Sequence, residues 1–138
     1  MSSAPTASEA PTYVDSSAFV KLVVAEAESQ ALRQFLTDVP RRLTASTLLD
    51  VEATRVARAA GGEATNAMTE ALRAVVLVDV TRSIRARARL LDPAELRTLD
   101  AIHLATALET GAGEIVVYDR RLAAAAQAYG MHVWSPGA

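Results

Sequence analysis

Short β-branched runs alternate with helix-like stretches along almost the whole chain, and two of those runs lead directly into an aspartate. The runs are Thr12-Tyr13-Val14, residues 42–45, Val75 to Val78, Glu114 to Tyr118 and Met131 to Trp134. Between them the spacing predicts helices over 16–27, 28–38, 46–60, 63–73, 81–91, 98–110 and 119–129. Ser46 suits an N-cap, Gly61-Gly62 and Gly111 suit helix stops, and Asp92-Pro93 suits a break. Strands separated by helices must cross over the sheet. The pattern therefore implies an α/β fold, a parallel sheet with helices on both faces. Residues 1–11, rich in Ser, Ala, Pro and Thr, read as a flexible tail ahead of a single domain over 12–138. Such sheets bind ligands beyond the carboxyl ends of their strands. Asp15 and Asp119 both project at that edge.

Each of these aspartates also precedes a helix and could be its N-cap. Glu52 is harder to explain locally. With about 100° between successive helical residues, Leu48, Glu52, Val56 and Ala59 share one side of the helix over 46–60, which puts a glutamate in an apolar stripe. A buried carboxylate needs an ion pair, a proton or a cation, and Arg55 is the local candidate for a pair. Asp100 repeats the pattern in RTLDAIHLATAL, between the directions of Leu104 and Ala107. An acid in a first turn is also favoured by the helix dipole alone. His103 shares a more polar side with Thr106 and Thr110 and reads as a structural histidine. Asp38, Asp79 and Asp92 read as loop or helix-end acids.

Composition narrows the chemistry. The chain has no cysteine and only two histidines, His103 and His132, which excludes thiolate zinc sites, disulfides and cysteine nucleophiles. Its net charge of −2 is not that of a duplex-coating protein. No basic start precedes an apolar run and no stretch has membrane length, so a soluble cytoplasmic protein is expected. If the four acids converge, they repel. Two unit charges about 4 Å apart cost about 4 kcal/mol at an effective dielectric of about 20. Several such pairs require a cation, and all-oxygen donors select a hard ion, Mg²⁺ or Mn²⁺. Such ions polarise phosphoryl oxygens and activate water. Lys21 is the only lysine, so the other basic residues are arginines, which suit phosphate. Carboxylates, a hard ion and arginine together suggest phosphodiester hydrolysis.

In order along the chain, YVDSSAFVKL, STLLDVEATRVAR, RTLDAIHLATAL and IVVYDRRLAAAA resemble the four acidic motifs of PIN-domain proteins, most of all the VapC-type toxins of bacterial toxin–antitoxin pairs. The resemblance spans residues 12–135. It implies a three-layer α/β/α domain with a five-stranded parallel sheet. It also implies a Mg²⁺-dependent endoribonuclease that leaves 5′-phosphate and 3′-hydroxyl ends. By the same match, Asp15, Glu52, Asp100 and Asp119 form the catalytic centre. Asp15, Asp100 and Asp119 are the implied metal ligands, and Glu52 holds or orients water. Ser16 or Ser17 supports the first acid by a hydrogen bond or caps the helix. One departure is Val117, where many relatives carry Ser or Thr.

The resemblance further implies a VapB-type antitoxin, a homodimer and an RNA substrate. An antitoxin segment would fill a groove and place an arginine among the carboxylates. The first helices, with FVKLVV and LRQFL, either present that groove or pack the core. Arg120 and Arg121, next to Asp119, are the preferred RNA contacts. Arg55, Arg58, Arg82, Arg85, Arg87 and Arg89 read mainly as solvated helix faces. Few aromatics are available, so RNA recognition by shape and backbone is expected rather than by stacking. Other α/β classes fit less well. Asp15-Ser16-Ser17 lacks the second acid of a receiver domain or of a haloacid-dehalogenase-type phosphatase, and no P-loop is present. A non-catalytic RNA-binding or scaffolding module with the same fold is the remaining alternative.

Overall fold

The computed structural model describes residues 10–138. The tail expected over 1–11 lies, apart from Ala10 and Pro11, outside the described residues. The elements run β1 (Thr12–Val14), α1 (Ser16–Val23), α2 (Ser29–Asp38), β2 (Leu43–Ser46), α3 (Thr47–Ala60), α4 (Gly62–Leu72), β3 (Val75–Val78), α5 (Arg82–Ala88), α6 (Thr98–Glu109), β4 (Glu114–Val116), α7 (Arg120–Ala128) and β5 (His132–Trp134). The five strands form one sheet in the order β3-β2-β1-β4-β5. Every pairing is parallel, as the alternation requires.

Side chains alternate across this sheet and build two cores. Val14 of β1 and Val116 of β4 pack with Phe19, Leu32, Leu49 and Met68 on one face. Tyr13 and Ile115, their neighbours in sequence, pack with Leu104, Leu122 and Met131 on the other. The expected three layers follow directly. The chain first builds outward from β1 through β2 to β3, then returns to place β4 on the opposite side of β1. That reversal makes the carboxyl ends of β1 and β4 the topological switch point.

Element ends differ from the sequence reading where side chains claim backbone groups. The helix expected over 16–27 stops at Val23. Beyond it the chain folds back, the Glu26 amide donates to Ser29 Oγ, and the Glu26 and Glu28 carboxylates both accept from Lys21. The strand expected to reach Tyr118 ends at Val116, because the Tyr118 amide donates to Ser17 Oγ instead of a ladder partner. Gly61, with φ +114°, ends α3, but Gly62 opens α4 rather than extending the stop. Helix α5 ends at Ala88, three residues short of the expected Leu91, as the chain turns toward Asp92-Pro93. No helix among the described residues is long and apolar enough to cross a membrane.

Candidate active site

Asp15 and Asp119 divide their oxygens in the same way. Asp15 is the N-cap of α1, and its Oδ2 accepts from the Ser17 amide at 3.1 Å and from Ser17 Oγ at 2.7 Å. Its Oδ1 lies 3.9 Å from His103 Nε2. Asp119 is the N-cap of α7, and its Oδ1 accepts from the Leu122 amide at 2.9 Å. Its Oδ2 accepts from Arg97 Nη2 at 3.0 Å. The capping reading holds for both aspartates, and capping uses one oxygen of each and leaves the other to meet His103 or Arg97. Ser17 also joins the two strand ends, since its hydroxyl receives the Tyr118 amide at 2.9 Å.

Glu52 reaches the same edge from α3, but the expected stripe is displaced. The buried positions of α3 are Leu49, Ala53 and Ala57. Val56 is 38% exposed, and Ala59 is also exposed. Small alanines let α3 pack closely against α1 and α4, so the core face is the alanine face and Glu52 lies at its margin. Glu52 does not pair with Arg55, which is exposed. Instead its Oε1 accepts from Ser16 Oγ at 2.6 Å and meets His103 Nε2 at 2.8 Å. Burial works against its charge, but the bonds from His103 and Ser16 outweigh burial and hold its pKa below the ordinary value.

Asp100 lies in the first turn of α6, and its Oδ2 accepts from Arg97 Nε at 3.1 Å. Burial raises its pKa. The charges of Asp15 and Asp119 act in the same direction, and Arg97 only partly offsets them. His103 sits one turn further along α6 and is fully buried. Its Nδ1 meets the Tyr13 hydroxyl at 2.7 Å, and its Nε2 also lies 3.0 Å from Ser16 Oγ. Burial alone would lower its pKa, but the Glu52 bond and the Asp15, Glu52 and Asp100 charges raise it. His103 is satisfied, as the structural reading has it, yet its partners place it inside the site.

The structure thus brings the four expected acids to one end of the sheet as two linked groups. Asp15 and Glu52 flank His103, while Asp100 and Asp119 share Arg97. Sequence reasoning missed Arg97 and the role of His103. The available signal was spacing, because Arg97 stands three residues before Asp100 and His103 three residues after it, each about one turn away on the same side of the helix. Arg120 and Arg121 are exposed at the start of α7 and form no ion pair among the described residues. Arg55, Arg58, Arg82 and Arg85 are exposed on their helices, Arg89 is exposed just past α5, and Arg87 pairs with Glu109. Val117 is fully buried in the second core.

Among the described residues, no three carboxylate or imidazole groups converge into a ready metal site. The donor set nevertheless suits a hard cation. It is rich in carboxylate oxygen, burial and then the charges of Asp15 and Asp119 raise the pKa of Asp100, and the Arg97 guanidinium stands between two of the acids.

Residues 12–128 match the family model of the PIN domain. The chain belongs to the PIN-domain family. Within that family it is a homologue of the VapC ribonucleases. It is 45% identical to Ribonuclease VapC46 of Mycobacterium tuberculosis over 130 residues, covering 92% of this chain and 98% of that protein. The fold is shared with the crystal structure of VapC20 from Mycobacterium tuberculosis, a toxin that cleaves the Sarcin-Ricin loop. That match has a TM-score of 0.68 at 21% identity and covers 83% of this chain and 94% of the other. A toxin–antitoxin complex from Klebsiella pneumoniae contains a similar chain, with a TM-score of 0.65 at 21% identity over 78% of this chain and 86% of that one.

Proposed function

We propose that this chain is a Mg²⁺-dependent endoribonuclease, the toxin of a type II toxin–antitoxin pair, with Mn²⁺ as a substitute ion. The observation that carries the reading is the meeting of acids from the N-caps of α1 and α7 and from α3 and α6 at the carboxyl end of the sheet, each with a hydrogen-bond partner. Asp15, Asp100 and Asp119 would hold the ion through their oxygens. When bound, the ion would polarise a phosphoryl oxygen and activate the attacking water.

The chain's own groups supply position and charge. Ser16 and His103 both bind Oε1 of Glu52, which leaves Oε2 to orient water. Ser17 fixes Asp15 against the strand that leads to Asp119. Arg120 and Arg121 meet RNA phosphates beside Asp119. A cleft of ≈ 620 Å³ between α5 and α6 is lined by Arg85, Arg89, Leu91, Thr98, Ala101 and Ile102, and none of the four acids lines it. A VapB-type antitoxin and a homodimer complete the proposal, in keeping with the homology to VapC proteins.

The test is to incubate antitoxin-free protein with total cellular RNA, with Mg²⁺ or EDTA, beside Asp100→Asn, and to sequence the new 5′ ends. Discrete Mg²⁺-dependent cuts that vanish in the variant are expected. RNA binding without cuts would leave the non-catalytic reading in place of this one.

A further inference from the structure

One arginine bridges two of the four acids. Arg97 Nε donates to Asp100 Oδ2 at 3.1 Å, and its Nη2 donates to Asp119 Oδ2 at 3.0 Å. The two acids come from different elements, the first turn of α6 and the N-cap of α7. Their side chains are 14% and 28% exposed, whereas that of Arg97 is 67% exposed. The guanidinium therefore lies over the acids from the solvent side. Its own residue is the N-cap of α6 and makes no side-chain capping bond, so the helix start does not depend on where this side chain points. Exposed ion pairs of this kind are weak and exchange readily.

We infer that Arg97 is a built-in counter-ion, which a divalent cation must displace from Asp100 and Asp119, and whose freed guanidinium then holds the RNA backbone. This inference rests on the nuclease reading given above. Two arguments carry it. First, the oxygens that Arg97 holds belong to two of the three expected metal ligands, and a guanidinium and a divalent cation drawn to the same carboxylates repel each other at that range. The second concerns where the displaced group goes. It stays tethered at the mouth of the site, where a phosphodiester must approach the acids. A planar guanidinium pairs with phosphate through two parallel hydrogen bonds, as it does with a carboxylate. Arg97 thus separates the metal-free and substrate-bound states by a change of partner, with no movement of the backbone.

The test uses the full chain, free of antitoxin. Mn²⁺ affinity is measured by titration calorimetry for wild type, Arg97→Gln and Asp100→Asn, with circular dichroism to check folding. Binding of a short labelled RNA is measured in Ca²⁺. The expected result is several-fold tighter Mn²⁺ binding in Arg97→Gln, several-fold weaker RNA binding, and loss of Mn²⁺ binding in Asp100→Asn. Arg97→Lys keeps the charge without the planar fork. It should retain the weaker Mn²⁺ binding and lose part of the RNA affinity. If Asp100→Asn abolishes Mn²⁺ binding but Arg97→Gln binds it no more tightly than wild type, the counter-ion role is wrong and the metal site stands. Mn²⁺ binding that ignores Asp100→Asn overturns both.

Discussion

The Tyr13 hydroxyl lies 2.7 Å from Nδ1 of His103, and this contact ties the middle of the sheet to the acidic edge. Tyr13 is fully buried, and burial, reinforced by the Asp15 charge, pushes its pKa well above the ordinary value. The hydroxyl also accepts from the Ser46 amide at 3.2 Å. The other ring nitrogen of His103 faces Glu52. A single phenol therefore sets the ring that holds Glu52.

Tyr13→Phe removes that hydroxyl and strands two buried polar groups. Leaving a buried donor or acceptor unpaired costs about 1–3 kcal/mol. The expected outcome is a loss of that size in urea unfolding, with kcat falling more than KM rises, because Glu52 loses a fixed partner while the RNA surface is unchanged. A variant as stable as wild type would show that the hydroxyl does not anchor the ring.

Asp100→Asn should separate stability from activity. Burial raises the pKa of Asp100, with help from Asp15 and Asp119. A raised folded pKa means that the folded state binds the proton more tightly than the unfolded chain does. The stability this brings is full below the unfolded pKa and is lost as pH rises through the folded value. At neutral pH the ionised group is therefore a burden on the fold, and the amide removes it. The variant should melt in EDTA at or above the wild-type temperature, while cleavage falls by about a hundredfold or more. A lower melting temperature would assign Asp100 a structural role.

Lys21, the only lysine, should resist amine-reactive reagents in the folded protein. Its ammonium donates to Glu26 at 2.8 Å and Glu28 at 2.9 Å, and lies 4.7 Å from the centre of the Tyr118 ring. Burial would favour the neutral amine, but those two carboxylates outweigh it and raise the pKa. Labelling followed by peptide mass spectrometry should show slow modification in buffer and fast modification in urea. Equal rates in both would mean that the cluster opens freely.

What could be read from the sequence was local. A β-branched run followed by an acid shows both a strand and where its carboxyl end falls, so Asp15 and Asp119 were legible together with the parallel sheet. Glu52 was legible as an anomaly but for the wrong face. A hydrophobicity pattern underweights alanine, and the face that α3 buries is set by how closely α1 and α4 approach. The partners of the acids were not legible. His103 meets Glu52 across 51 residues, and Arg97 meets Asp119 across 22, so only the folded chain brings them together. The end of α1 was hidden for a related reason, because Lys21 draws Glu26 and Glu28 back against helical propensity.

Glu114 predicts how the fold responds to acid. It opens β4 and joins three parts of the sheet edge. Its Oε1 accepts from Thr12 Oγ1 at 2.7 Å and Arg41 Nε at 2.9 Å, and its Oε2 accepts from Trp134 Nε1 at 2.6 Å. Burial opposes its charge, but these three donors and the Arg41 charge win, so its pKa falls below the ordinary 4.5. A lowered folded pKa means that the unfolded chain takes up the proton first as pH falls. The stabilisation is present above the ordinary value and is lost as pH drops through the lower folded one. Glu114→Gln keeps one acceptor oxygen and turns an NH₂ group toward a donor. It should cost about 1–2 kcal/mol near neutral pH. Urea unfolding of both proteins at a series of pH values should show the gap shrinking below pH 4.5 as wild type loses its advantage. A gap that stays constant across that range would mean that the carboxylate charge contributes nothing and that shape alone holds the three donors.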